Sequence, residues 1–273
     1  MTVKLTLHGT RGQLPALGSW HTDFGGATST YEVTGPAGRL IFDAGTGLVA
    51  LGKRLVAEAT GPQHVDLVLS HAHLDHIMGL PFFAPLFQAH FSVRILSCDA
   101  ALDTPMEAAL KAYWGSPYCP VALSHFKASL KFETLAADEE VEIGSDMSLR
   151  ATALHHPGGN AAFRLTVGGK SLVYSGDFEH GDAASDARLH GLLDGADLAL
   201  LDCNYTPQTY EAAKGFGHAH WQAAGELARG ANKWLGVHHS HGATDAQLHE
   251  IEADLKAAFP NGALGRDGQV LEL

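Results

Sequence analysis

The run Ser70-His71-Ala72-His73-Leu74-Asp75-His76 constrains this chain more than any other feature. It follows the apolar stretch Val65-Asp66-Leu67-Val68-Leu69, whose length and branched residues predict a buried strand. Just past a strand the backbone is still extended, so residues two apart point the same way. His71 and His73 are therefore placed to bind one ion together. Asp75 is expected to cap a turn over His76–Gly79. That turn would swing Asp75 and His76 towards a second ion beside the first. The 18 histidines of the chain point in the same direction, because no fold needs so many imidazoles and imidazole is the commonest neutral metal ligand.

The rest of the sequence supplies a globular frame for that run. Its 273 residues suit one large domain, taken here as 1–273, and no Pro/Ser-rich linker or charge run divides them. Hydrophobic residues at 45% and charged residues at 18% exclude disorder and coiled coil. Strand patterns fall at Val3–His8, Thr30–Val33, Leu40–Asp43, Val65–Ser70 and Val93–Ser97. Others fall at Leu149–Leu154, Phe163–Val167, Leu172–Ser175, Leu198–Asp202 and Trp234–His238. Helical patterns fall at Leu48–Ala59, Thr104–Trp114, His220–Ala228 and Thr244–Ala258, the last with Thr244 and Gln247 set for a capping box. An internal echo relates Gly38–Gly45 to Gly169–Asp177: in each, a glycine and a cation precede an apolar strand that ends near Gly and Asp.

Charge and cysteine usage bound the setting. A formal net charge of −12 disfavours extended nucleic-acid binding. Cys98, Cys119 and Cys203 form no CxxC and no disulfide framework, which predicts a reducing, cytoplasmic environment. No apolar stretch reaches the roughly 18 residues of a membrane span, and the first residues lack a signal-peptide core.

His71-Ala-His73-Leu-Asp75-His76 resembles the HxHxDH motif of the metallo-β-lactamase superfamily. His8-Gly-Thr-Arg-Gly12, Phe24-Gly-Gly-Ala-Thr-Ser-Thr30 and Leu40-Ile-Phe-Asp-Ala-Gly-Thr-Gly47 resemble its first strands and turns, and the likeness runs from about Leu7 to about Asp245. Within the superfamily the chain is most similar to the ribonuclease Z and phosphodiesterase branch. The resemblance implies an α/β fold, the four-layer αββα sandwich, with two divalent metal ions where the sheets meet.

Site residues follow from the resemblance one position at a time. In Leu154-His155-His156-Pro157-Gly158-Gly159, the distance to Phe163-Arg164 selects His156 over His155 as the third histidine of the first ion. In Tyr174-Ser175-Gly176-Asp177, Asp177 takes the place of the bridging carboxylate. In Leu235-Gly-Val-His238-His239-Ser240, His238 is placed on the second ion, with His239 as the alternative. The first ion would then have His71, His73, His156 and Asp177, and the second Asp75, His76, His238 and Asp177. An all-N/O set suits Zn²⁺ and also accepts Mn²⁺ or Fe²⁺. Gly215-Phe-Gly-His218 and Leu201-Asp202 resemble the branch's acid pair: Asp202 orients His218, which protonates the leaving oxygen, and His220 is a second candidate for that acid. Asp75 is placed with these catalytic residues as well as with the ligands.

Two weaker signals are set aside. Gly47-Leu-Val-Ala-Leu-Gly52-Lys53-Arg54 nearly spells a phosphate-binding loop but lacks the closing Ser/Thr and has a helical apolar pattern. Pro81–Phe87 is apolar enough for a partner patch, yet is read as packing beside the metal loop. Two dications against two carboxylates leave net positive charge, which favours a small anionic substrate. The expected activity is a metal-dependent phosphodiesterase using a hydroxide that bridges the metals. A carbonyl hydrolase (lactonase, thioesterase or β-lactamase-like) is the first alternative and tRNA 3′ processing the second, disfavoured by charge and by the lack of a basic arm. Di-iron oxygen or nitric oxide reduction is disfavoured because His73 stands where those proteins carry Glu. A metal-free binding protein is disfavoured because no ligand is missing. The segment Ala101–Leu135 is expected to shape the pocket mouth or a homodimer contact.

Overall fold

The computed structural model describes residues 2–273. Its first half contains β1 (Lys4–Gly9), β2 (Arg11–Gly12), β3 (Thr30–Gly35), β4 (Gly38–Phe42), α1 (Gly47–Glu58), β5 (Gln63–Val68), α2 (Leu74–Ile77), β6 (Phe91–Ser97), α3 (Met106–Tyr113) and β7 (Ser129–Thr134). The second half contains β8 (Glu140–Gly144), β9 (Met147–Leu154), β10 (Asn160–Val167), β11 (Lys170–Tyr174), α4 (Ala183–Leu193), β12 (Leu198–Asp202), α5 (Pro207–Tyr210), α6 (Trp221–Leu227), β13 (Trp234–Val237), β14 (His239–Ser240), α7 (Asp245–Ala258), β15 (Gly262–Leu264) and β16 (Val270–Glu272).

Alternation along these strands builds four layers. One seven-stranded sheet runs β16-β1-β3-β4-β5-β6-β7 and the other β15-β13-β12-β11-β10-β9-β8. Successive strand residues face opposite sides, so each sheet has an inner and an outer apolar face. Leu5, Leu7, Phe42 and Val68 of one sheet meet Leu149, Phe163, Leu172 and Leu200 of the other between the sheets. Leu67 and Ile95 face outward onto Leu48, Leu51, Leu55 and Leu110 of α1 and α3. Val173, Ala199 and Leu201 face outward onto α4, α6 and α7 through Leu189, Leu192, Ala224 and Leu255. The αββα sandwich implied by the sequence is the architecture found.

The topology also explains why the polar residues gather. From β4 through β7 the strands run parallel, as do β11, β12, β13 and β15. Ligand sites in such sheets lie beyond the carboxyl ends of the strands. Asp43 follows β4, His71 follows β5, Asp177 follows β11, Asp202 ends β12 and His238 follows β13. The internal echo falls on β4 and β11, each the second strand of an antiparallel hairpin that then pairs with a parallel strand. Both echo acids thus reach the same edge.

Most predicted elements lie within a few residues of the observed ones, and α7 carries the expected capping box between Thr244 and Gln247. The segment resembling a phosphate loop is helix α1. Pro81–Phe87 packs into the outer layer through Phe83 and Leu86, with Phe82 left exposed. One local reading is corrected. Asp75 does not cap a turn: α2 begins at Leu74, His73 occupies the cap position, and Asp75 lies in the first turn with its carboxylate engaged elsewhere. Among the described residues no helix is long and apolar enough to cross a membrane, and the three cysteines are free and buried.

Candidate metal centre

Six histidines and three aspartates converge at the edge where the sheets meet. His71, His73, His156 and Asp177 can each offer one atom to a common cluster, as can Asp75, His76, Asp177 and His238. Asp177 belongs to both groups and is buried, as are all the others except His73. His238, not its neighbour, enters the cluster: its Nε2 lies 3.0 Å from Asp75 Oδ2 and 3.3 Å from Asp177 Oδ1. His239 turns away and pairs with the Gly265 carbonyl at 2.9 Å. In the same way His156 faces His73 at 3.0 Å, while His155 is exposed.

The chain imposes this geometry at some local cost. His238 has φ +58° and Asp43 φ +55°, left-handed conformations that non-glycine residues rarely adopt and that concentrate at functional sites. Gly12, on β2, has no room for a side chain, because a Cβ there would lie 2.3 Å from the His238 ring. The pairing of β2 with β14 brings that strand against the histidine.

Each ligand candidate is oriented from behind. His76 Nδ1 donates to Asp43 at 2.7 Å, and His156 Nδ1 donates to the Gly217 carbonyl at 2.7 Å. Ser70 Oγ donates to Asp43 at 2.8 Å and so can accept from His71 Nδ1 at 3.1 Å. With Nδ1–H directed outward, the Nε2 atoms of His71, His76 and His156 face the cluster. This is the arrangement by which a partner behind the ring fixes a metal-binding tautomer. Asp43 also accepts from the Ser70 amide at 2.8 Å and from the Tyr174 hydroxyl at 2.5 Å.

The donor set fits divalent ions, and buried atoms point to them. His71 Nε2 and Asp177 Oδ1 are buried with no hydrogen-bond partner, and a buried polar atom left unpaired is costly. Electrostatics divide the cluster. Burial, with the neighbouring His76 charge, drives the His71 pKa well down, burial lowers that of His73, and burial takes His156 to about 4. Burial also opposes charge on His76 and His238, but there the carboxylates outweigh it. Asp177, Asp75 and Asp43 raise His76, and Asp177, Asp202 and Asp75 raise His238 to about 10.

His218 lies at the rim of the cluster, its ring stacked on His238 at 4.9 Å between centroids. Its Nδ1 is 2.9 Å from Asp202 Oδ2 and 3.7 Å from Asp177 Oδ2. Burial resists its protonation, yet Asp202 and Asp177 prevail and raise its pKa. Asp202 is fixed in turn by the amides of Asn204 at 3.0 Å and Phe178 at 3.3 Å. His220 is not equivalent, because its side chain accepts from the Ala223 amide and caps α6. The Asp75 carboxylate accepts from the Gln13 amide at 2.6 Å through the oxygen that faces His238.

Three supporting residues escaped sequence reasoning. Asp43, the acid at the end of the first echo strand, orients His76 directly and His71 through Ser70. Asn204 Nδ2 donates to the His238 carbonyl at 3.0 Å. Glu179 is a buried carboxylate that accepts from the amides of Gly215 and Gly217 at 2.8 and 2.9 Å and from the Tyr210 hydroxyl at 2.9 Å. It therefore braces the loop that supplies both His218 and the carbonyl behind His156. Gly217 has φ +87°, and a Cβ there would lie 2.4 Å from His156 Nδ1. The glycine pair flanking Phe216 was the available signal.

Over residues 38–239 the chain matches the family model described as a beta-lactamase superfamily domain. It is 24% identical over a 315-residue alignment to "Ribonuclease Z" of Haloarcula marismortui, covering 99% of this chain and 94% of that protein. The metallo-beta-lactamase fold protein YhfI from Bacillus subtilis superposes with TM-score 0.74 at 23% identity, with 100% of both chains covered. A diphosphatase from the PhnP family superposes with TM-score 0.72 at 18% identity, covering 99% of this chain and 98% of that one. These likenesses show the fold.

Proposed function

The chain belongs to the beta-lactamase superfamily, and from that premise we propose that it is a metal-dependent phosphodiesterase acting on a small anionic diester. Its ligands would be His71, His73, His156 and Asp177 for one ion and Asp75, His76, His238 and Asp177 for the other. When bound, two divalent ions acidify water at neutral pH and offset charge on phosphoryl oxygens. The N/O donor set suits Zn²⁺ and accepts Mn²⁺ or Fe²⁺.

The observation that carries the reading is the His218–Asp202 pair beside the cluster. With Nδ1 held by Asp202, Nε2 is the nitrogen free to hand a proton to a leaving oxygen. Asp202 keeps the imidazole oriented and favours its charged form. Asp75 and Asn204 hold His238 from two sides. A poor alkoxide leaving group needs such an acid, and diesters of biological alcohols leave as alkoxides. The ribonuclease and diphosphatase relatives act at phosphorus by their names, which supports the same class.

The test is a substrate panel on metal-loaded protein: bis-p-nitrophenyl phosphate, a cyclic nucleotide, a lactone and a thioester. Turnover of the diesters above the two carbonyl substrates is expected. Turnover of the lactone or thioester with the diesters untouched would replace this reading by a carbonyl hydrolase.

A further inference from the structure

Helix α2 carries two kinds of residue on two faces. Asp75 and His76 turn into the metal centre, while Leu74, Ile77 and Met78, at i, i+3 and i+4, turn the other way. Across from them, α3 buries Met106 and Leu110 in the core and presents Ala109, Ala112 and Tyr113, again at i, i+3 and i+4. The alanines leave room between the helices. The result is a cleft of about 460 Å³ that Tyr118 also lines, a volume within the range of small-molecule sites.

This cleft is continuous with the metal centre. Ala72 and Ala109 line it and also line the neighbouring cleft of about 330 Å³ that holds His71, His73 and Gly158. Ala72 sits between the two ligand histidines, and Leu74 between His73 and Asp75, so neither can withdraw without disturbing the ligands. Leu74 is nonetheless 58% exposed and Tyr118 76% exposed. No charged side chain lines this cleft. Beside Asn204 and Ser240 a further cleft mixes Thr206, Thr209, Gln247 and Glu250 with Tyr205, Ala243 and Ile251. A single exposed leucine needs no explanation. A concave, uncharged surface sharing its wall with a metal centre does.

We propose that the cleft between α2 and α3 seats an uncharged apolar substituent, aryl or branched alkyl, of the substrate whose anionic group sits at the metal centre. The inference rests on reading that centre as one that binds an anion, and it names which esters the protein prefers: those with one apolar arm, over those with two small or charged arms.

Phosphonates test the cleft without requiring any reaction. Phenylphosphonate should bind the metal-loaded chain about 10- to 100-fold more tightly than methylphosphonate, the gain from burying a ring of phenylalanine size. Calorimetric titration of each reads the ratio. Ala112→Trp, on an exposed helix position, fills the cleft and should bring phenylphosphonate down to the level of methylphosphonate at full metal content. Tyr118→Ala removes part of the apolar lining and should shrink the ratio without plugging the cleft. Equal affinities in the unmodified chain overturn the inference while leaving the anion site standing. A phenyl advantage that survives Ala112→Trp places the ring elsewhere and also overturns it. If neither phosphonate binds, the anion-binding reading fails, and this inference fails with it.

Discussion

The two halves of the cluster share Asp177 and one six-residue run, yet they hold their histidines in opposite states. Burial drives the pKa of His71 well down and takes that of His156 to about 4, and His73 is lowered less. His76 and His238 are held charged by the carboxylates around them, His238 at about 10. The first half presents ready lone pairs to a cation. The second already neutralises its carboxylates with protons that a cation must displace. One motif thus feeds two sites with different binding chemistry, because its histidine pair ends a strand while its Asp-His pair lies on a helix packed against three acids.

Removing the shared residue should erase the distinction. Asp177→Asn is expected to lose both ions and to lower turnover by more than about 10³-fold, since it takes the charge from both halves at once. Loss of only one ion, read by elemental analysis, would show that the halves do not depend on a common carboxylate.

His218 belongs to neither half. His218→Ala should keep both ions and slow a diester with a poor alkoxide leaving group by about 10²–10⁴-fold. Hydrolysis of a p-nitrophenyl diester should fall much less, because that leaving group barely needs a proton. Equal losses at full metal content would make His218 a substrate contact, and lost metal would make it a ligand.

The residues behind the ligands should separate the halves. Glu179→Gln loosens the loop behind His156, and Asn204→Ala releases His238. Each should cost about 10- to 100-fold in metal affinity, the former at the first half and the latter at the second. Chelator competition followed ion by ion would detect this, and a uniform loss at both halves would contradict it. Asp43→Asn should weaken both, because Asp43 reaches His76 directly and His71 through Ser70.

Much of this centre was legible before the fold. HxHxDH after an apolar strand, His156, Asp177 and His238 were all placed from sequence and resemblance, and the structure brings them within one cluster. The supporting shell was not legible, because Asp43, Glu179 and Asn204 act through contacts 27 to 131 residues away that no local period encodes. The misread cap has a similar cause. Asp75 has the residue type of a cap, but its oxygen is drawn to Gln13 and His238 by tertiary contacts. Helix α4 was missed although Leu189, Leu192 and Leu193 share its buried face and Asp182 caps it. Strands β2, β14, β15 and β16, of two or three residues, are too short for any period to register. The edge strands β7 and β8 alternate, but both are half-exposed and lie where the core signal is thin.

The electrostatic contrast also predicts a difference in pH slope. At the first half, where the histidine pKa values are lowered, affinity should change less as the pH falls from 8 to 6. At the second half the carboxylates raise His76, and they raise His238 to about 10, so binding there displaces protons over that range. Affinity there should fall by about tenfold per pH unit for each proton displaced. Parallel slopes would remove the electrostatic contrast.

The central claim is that the chain holds two ions in these two halves, and metal content measures it directly. Protein purified without chelator and reconstituted with Zn²⁺ should approach two ions per chain by elemental analysis, and His156→Ala should lower that value while His155→Ala leaves it unchanged. A content that stays near zero after reconstitution would contradict the account.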